Sequence, residues 1–160
     1  MNLDQFQNLV SDWTCESGKL ILQHFRDPDL KVDQKKDASP VTQADRQAEQ
    51  LLVNKISENF PQHGVVGEEF GSVREGAEWT WLVDPIDGTK SFVSGVPIFG
   101  TVLCLQFHNK PVLGAIHLPA LGGQLLVGDC NSAFLDGNRV SVRESGQCED
   151  WVVLTSDERD

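Results

Sequence analysis

No stretch of this 160-residue sequence approaches the roughly twenty consecutive apolar residues needed to cross a bilayer. Its first residues, Met1 to Gln7, lack a basic start and lead into no apolar run, so no secretory leader is expected. Basic residues are scarce. Thirteen Lys and Arg stand against 24 Asp and Glu, for a formal charge of −11. That balance argues against a nucleic-acid surface and against an anionic-membrane surface. The four cysteines, Cys15, Cys104, Cys130 and Cys148, have neither the close pairing of a zinc site nor the density of a disulfide scaffold. All four are expected as reduced thiols in a cytoplasmic protein. The histidines, His24, His63, His108 and His117, show no i, i+4 ligand pairing and are expected as surface or sheet residues. There is no internal repeat and no low-complexity tract.

What is present is an ordinary globular balance, 39% hydrophobic and 23% charged, in a chain long enough for one domain with a sizeable core. Apolar side chains at Leu3, Phe6, Val10, Trp13, Ile21 and Phe25 have helical spacing over residues 3 to 25. Arg26 to Ser39 is polar and reads as an exposed loop. Thr42 with Asp45 forms a capping-box pattern for a second helix. Its stripe runs through Ala44, Ala48, Leu51, Leu52, Ile56 and Phe60 to a stop at Pro61.

The pattern then changes to short strands. They are expected at 64–67, at 79–83 ending on Asp84, at 99–107, 111–118 and 123–128. A turn at Asp136-Gly137-Asn138 separates 133–135 from 139–142, and Trp151 to Leu154 starts one more strand. Two N-terminal helices followed by closely spaced strands predict an α+β fold with a largely antiparallel sheet. An ending just after a strand predicts an edge that awaits further chain or a partner.

The chemistry gathers at two strings. In Asp84-Pro85-Ile86-Asp87-Gly88-Thr89 a hydrophobic strand delivers two carboxylates three residues apart into a turn. Such carboxylates can converge on one Mg²⁺, which wants oxygen ligands in octahedral array, and the Ile86 carbonyl can supply another oxygen. Gly88 permits close backbone approach. A helix starting at Thr89-Lys90-Ser91-Phe92 would turn free N–H groups toward a phosphate. A surface turn with a capping Asp is the plain alternative. Gly67-Glu68-Glu69 alone reads as solvated, yet it stands within one strand spacing of the Asp motif. Asp45 caps a helix and can also accept a proton from Thr89, polarising a water held on a metal. Cys104 reads as core. Lys35 and Lys36 read as a solvated loop or as part of a lid over the site. Clustered carboxylates that load divalent metal would also let so acidic a chain take a phosphate.

Together these strings resemble the inositol monophosphatase family of lithium-sensitive, Mg²⁺-dependent phosphatases. The family pattern is Val-Thr-x-x-Asp, then Gly-Glu-Glu, then Asp-Pro-Ile/Leu-Asp-Gly-Thr. It is matched by Val41 to Asp45, Gly67 to Glu69 and Asp84 to Thr89. Glu68-Glu69-Phe70-Gly71, Thr89-Lys90-Ser91-Phe92, Phe99-Gly100-Thr101 and Pro111 to Ile116 look most like its histidinol-phosphatase branch. The resemblance implies Mg²⁺-dependent hydrolysis of a small phosphate monoester, first histidinol phosphate in histidine biosynthesis. Inositol phosphate and 3′-phosphoadenosine 5′-phosphate are the alternatives. It implies two or three Mg²⁺ per complete site. Glu68, Asp84 and the Ile86 carbonyl would hold the first, Asp84 and Asp87 would share the second, and Glu68 would touch a third. Thr89 with Asp45, helped by Glu68, would activate the attacking water, and Asp87, Gly88 and Thr89 would bind the phosphate. It further implies a layered α/β/α/β/α sandwich, of which 1–160 is the N-terminal metal-binding domain, and a homodimer of full-length chains. A C-terminal half with a Trp-Asp motif, whose Asp completes the second metal site, is expected outside these residues. Without it the chain would be a fragment that binds metal or a partner without turnover.

Overall fold

The first helix, α1 (Leu3–His24), starts on a reciprocal cap: Gln5 N–H donates to Asn2 Oδ1 at 2.9 Å, and Asn2 N–H to Gln5 Oε1 at 3.1 Å. The computed structural model describes residues 1–35 and 39–142. The expected strand at Trp151–Leu154, Lys36 and Cys148 lie outside these described residues.

Arg26 to Ser39 is not simply a loop. It contains β1 (Val32–Gln34), paired antiparallel with β2 (Pro40–Thr42). All three β1 residues are exposed, so no apolar alternation announces the strand. The second helix, α2 (Gln43–Asn59), follows directly, and Pro61 prevents its continuation.

The main sheet consists of β3 (Gly64–Gly67), β4 (Gly71–Val73), β5 (Trp79–Asp87), β6 (Gly100–Phe107), β7 (Lys110–Leu118), β8 (Gln124–Gly128), β9 (Ala133–Leu135) and β10 (Asn138–Val140). Their spatial order is β10-β9-β8-β7-β6-β5-β3-β4. All neighbours are antiparallel except β3 and β5. The α+β fold with a largely antiparallel sheet is therefore as expected. The exposed strand β4 adds to it, and β5 corrects the expected strand end. Rather than stopping at Asp84, it runs on to Asp87 through a register shift against β6. The strand thus carries the whole carboxylate motif, with a bulge that re-aims it.

Both long helices cover one face of the sheet. Phe6, Val10 and Trp13 of α1 and Leu52 and Ile56 of α2 pack on Val65, Trp81, Val83, Leu103, Leu105 and Val127. Trp81 is fully buried between Phe6, stacked at 5.7 Å, and Trp13, tilted at 5.6 Å. Its indole N–H donates to His63 Nδ1 at 3.1 Å, so burial leaves no unpaired donor. Truncating such a side chain to Ala costs roughly 3–5 kcal/mol. A second cluster, Ile21, Ala44, Ala48, Ile86, Phe92 and Phe99, packs beneath the carboxylate motif and holds it against the helices.

Cys104 departs from the core position expected of it. It is half-buried and lines an apolar groove of about 420 Å³ with Val102, Val112, Ile116 and Leu126. Cys15, Cys104 and Cys130 are free thiols. Among the described residues no helix is long and apolar enough to cross a membrane.

Candidate active site

The parallel pairing of β3 with β5 sets the site. Gly67 lies opposite Val83, so the next residues, Glu68 and Asp84, leave the same edge of the sheet side by side. Glu68 N–H donates to the Val83 carbonyl at 3.2 Å and continues the ladder one step. The Glu68 carboxyl stands close enough to Asp84 to raise the Asp84 pKa. In the Asp84 turn, Ile86 N–H donates to Asp84 Oδ1 at 3.1 Å, and the Thr101 hydroxyl donates to the Pro85 carbonyl at 2.9 Å. These bonds fix the bulge from inside.

Gly88 then adopts a left-handed conformation, φ 89° and ψ 36°, and a Cβ there would stand 3.0 Å from the Ile98 carbonyl oxygen. Both conditions favour glycine. The reversal starts α3 (Thr89–Val93), anchored by buried Phe92, whose ring meets Phe99 edge-on at 5.0 Å. The expected helix start at Thr89 is therefore present, in a helix of five residues.

Thr89 faces two acceptors. Its hydroxyl is 2.9 Å from the Ile86 carbonyl oxygen and 3.5 Å from Asp45 Oδ1. Asp45 also fulfils its capping role: Thr42 N–H and hydroxyl donate to its Oδ2 at 2.8 and 2.6 Å. Asp45 is 2% exposed. Burial raises its pKa, opposed by the Thr42 hydrogen bonds and the charge of Lys35.

The carboxylates repel one another. Burial, then the nearby Glu68 carboxyl and the charge of Asp87, push Asp84 up to about 8. Burial also raises Glu69, opposed by Lys35. Lys35 is not merely solvated: its ammonium sits 2.5 Å from Glu68 Oε1 and 2.6 Å from Glu69 Oε1. Burial alone would lower its pKa, but the hydrogen bonds to both glutamates outweigh that and hold it above the usual lysine range.

A hard cation fits this donor set. The atoms are all oxygen, one carboxyl is raised to about 8 by burial and then by its neighbours, and an ammonium bridges two others. Asp87 stands exposed three residues after Asp84. Among the described residues, no three acidic, histidine or cysteine side chains yet close into a cation cage. The sheet brings Glu68, Asp84, Ile86, Asp87, Gly88 and Thr89 to one edge, and α2 brings Asp45 to Thr89.

Lys35, expected as solvated loop or as part of a lid, reaches the carboxylates from the β1–β2 connection. One residue at this edge escapes a reading of motifs. Glu49, fully buried, accepts from Glu69 N–H at 2.8 Å and from Phe70 N–H at 2.9 Å. Its signal lies in the stripe Asp45, Glu49, Leu52, Ile56, which places a carboxylate on the core face of α2.

The model of the "Inositol monophosphatase family" matches residues 2–159. The chain is 42% identical to a histidinol-phosphatase of Chlorobaculum parvum, over 79% of this chain and 49% of that protein. It is 41% identical to the bifunctional phosphatase IMPL2 of Arabidopsis thaliana, over 96% of this chain and 45% of that one. A solved structure, an IMPase of Thermotoga maritima, superposes with a TM-score of 0.79 at 31% identity, covering 88% of this chain and 54% of that one. The chain thus spans about half the length of the curated relatives it matches.

Proposed function

This chain belongs to the inositol monophosphatase family, and from that premise we propose that it is the N-terminal, metal-binding part of a Mg²⁺-dependent phosphomonoesterase acting on histidinol phosphate. The observation that carries the reading is the carboxylate edge formed by Glu68 and Asp84, set beside the Thr89–Asp45 pair. Glu68, Asp84, Asp87 and the Ile86 carbonyl would hold Mg²⁺. Bound there, Mg²⁺ would offset phosphate charge and make a water acidic enough to attack phosphorus. With the Ile86 carbonyl turned to the cation, Asp45 would take the Thr89 hydroxyl hydrogen, which would leave the Thr89 lone pairs to receive a hydrogen from the water. Burial makes Asp45 a stronger base than an ordinary Asp. The N–H groups of Gly88 and Thr89, at the start of α3, have no partner inside that helix and would receive phosphate oxygens near Asp87.

Histidinol phosphate is favoured because the sequence lies nearer to a histidinol-phosphatase, at 42%, than to the fructose-1,6-bisphosphatase/inositol-1-monophosphatase of Thermotoga maritima, at 36%. Histidinol also carries an ammonium group, which a chain of formal charge −11 attracts better than a neutral polyol. Inositol 1-phosphate is the alternative substrate. A second reading, metal binding without turnover, is favoured by the half-length match and by the open cation site among the described residues. Free cysteines suit the cytoplasmic location carried with this proposal.

The test is Mg²⁺-dependent phosphate release from histidinol phosphate, inositol 1-phosphate and 3′-phosphoadenosine 5′-phosphate. It is run on this chain and on one extended by a C-terminal half. Preference for histidinol phosphate supports the first reading. Turnover of none by the extended chain sinks the enzyme, and Mg²⁺ uptake without turnover by either chain supports the second reading.

A further inference from the structure

Glu49 is a fully buried carboxylate to which the chemistry above gives no task. A buried carboxylate is costly unless its oxygens are hydrogen-bonded. A leucine would fill much of the same volume without that cost, but would leave two N–H groups without an acceptor. Those two groups belong to Glu69 and Phe70, the residues that immediately follow Glu68. The opposite side of the turn is shaped to the same carboxylate. A Cβ on Gly67 would stand 2.5 Å from the Glu49 carboxyl carbon and closer still to Oε1. A side chain at Gly67 would force either the turn or the Glu49 carboxyl to shift. The peptide before Glu68 lies against the Glu49 carboxyl, and the two peptides after it donate to that carboxyl.

Asp45 and Glu49 lie four residues apart, on one face of one helix. The first carboxylate meets Thr89, and the second grips the turn that carries Glu68. A single rigid element therefore sets the spacing between the pair that handles the water proton and the strand end that offers metal oxygens. We propose that Glu49 is a positioning residue: it clamps the Gly67-Glu68-Glu69 turn and so aims Glu68 beside Asp84 for a divalent cation. This role rests on the metal-site reading given above.

The test is calorimetric titration of this chain with Mn²⁺, alongside amide exchange followed by NMR. In Glu49→Gln, exchange at Glu69 and Phe70 is expected to quicken while exchange within α2 stays unchanged. Mn²⁺ affinity is expected to fall by roughly tenfold or more, as when an outer partner of a metal ligand is lost. A lower unfolding midpoint with Mn²⁺ affinity within about twofold of the parent would make Glu49 merely structural and overturn the role. A parent chain that takes up no Mn²⁺ overturns the metal-site reading, and the role with it. Should Glu49→Gln fail to fold, Gly67→Ala presses the turn away from an intact Glu49. Weaker Mn²⁺ binding by that variant supports the clamp, and unchanged binding overturns it.

Discussion

The Thr89 hydroxyl stands between two acceptors, nearer to the Ile86 carbonyl at 2.9 Å than to Asp45 Oδ1 at 3.5 Å. A hydroxyl has one hydrogen to give, so the shorter contact holds it. If the Ile86 carbonyl turns its lone pairs to a cation, that hydrogen is released to Asp45. Thr89→Ala removes the proton path but none of the proposed metal donors. In a chain extended by a C-terminal half its expected effect is a loss of roughly 10²–10⁴-fold in kcat, with Mg²⁺ affinity unchanged by calorimetry. An equal loss of metal affinity would place Thr89 among the metal's supports instead.

Asp84 contributes to stability with a sign unlike that of a salt-bridged carboxylate. Its pKa stands at about 8 in the folded chain, against an ordinary 3.8. The metal-free fold keeps a proton that the unfolded chain has released, so this contribution is complete below pH 3.8 and is lost as pH rises to about 8. Mg²⁺ binding must expel that proton. Affinity is expected to rise with pH up to about 8, with proton release seen as a dependence of calorimetric heat on buffer ionisation enthalpy. Asp84→Asn should lose this dependence, raise the metal-free unfolding midpoint and, in a chain extended by a C-terminal half, lower turnover at least about 10²-fold. Near-normal turnover would show that the metal cluster is wrongly assigned.

Lys35 occupies with an ammonium the glutamate oxygens a metal would want. Its removal should therefore help the cation and hurt the empty fold. Ion pairs of this partly exposed kind are worth about 0–1 kcal/mol, which corresponds to at most about a fivefold gain in Mg²⁺ affinity for Lys35→Met. The same variant should unfold at lower temperature without metal. Weaker Mg²⁺ binding would mean that Lys35 shapes the site more than it competes for it.

How far these features were legible in the sequence depends on whether their causes are local. The strand before Asp84, the Thr42–Asp45 cap and the glycine turn at Gly88 follow from neighbours within a few residues, and periodicity or turn chemistry reveals them. Strands β1 and β4 bury nothing, so they carry no alternation and exist through backbone pairing. The extension of β5 to Asp87 depends on Thr101, far along the chain. Glu49 was hidden because a glutamate in an amphipathic helix ordinarily belongs to its wet face. Only its place in the Leu52–Ile56 stripe marks it as buried, and its partners at Glu69 and Phe70 arrive through tertiary folding. Lys35 meets Glu68 from 33 residues away.

His117 predicts a second pH dependence, opposite in sign to that of Asp84. It is 6% exposed, its Nδ1 lacks a partner among the described residues, and Gly18 of α1 is packed so closely that a Cβ there would lie 2.6 Å from its ring. Burial lowers its pKa below 6.5, against the opposing charge of Asp136. The fold therefore disfavours the protonated form of His117 while the unfolded chain gains a proton below pH 6.5, and stability present above that pH is lost as pH falls toward the folded pKa. In the parent chain, Asp84 acts the other way over part of the same range. Thermal unfolding of Asp84→Asn removes the Asp84 part of that opposition, and its midpoint should fall as pH is lowered from 6.5. Adding His117→Leu should flatten the slope without abolishing it, because His63 is also lowered, by burial and then by the N-terminal charge. An unchanged slope in the double variant would assign the acid sensitivity to His63 and free His117 of any part in it.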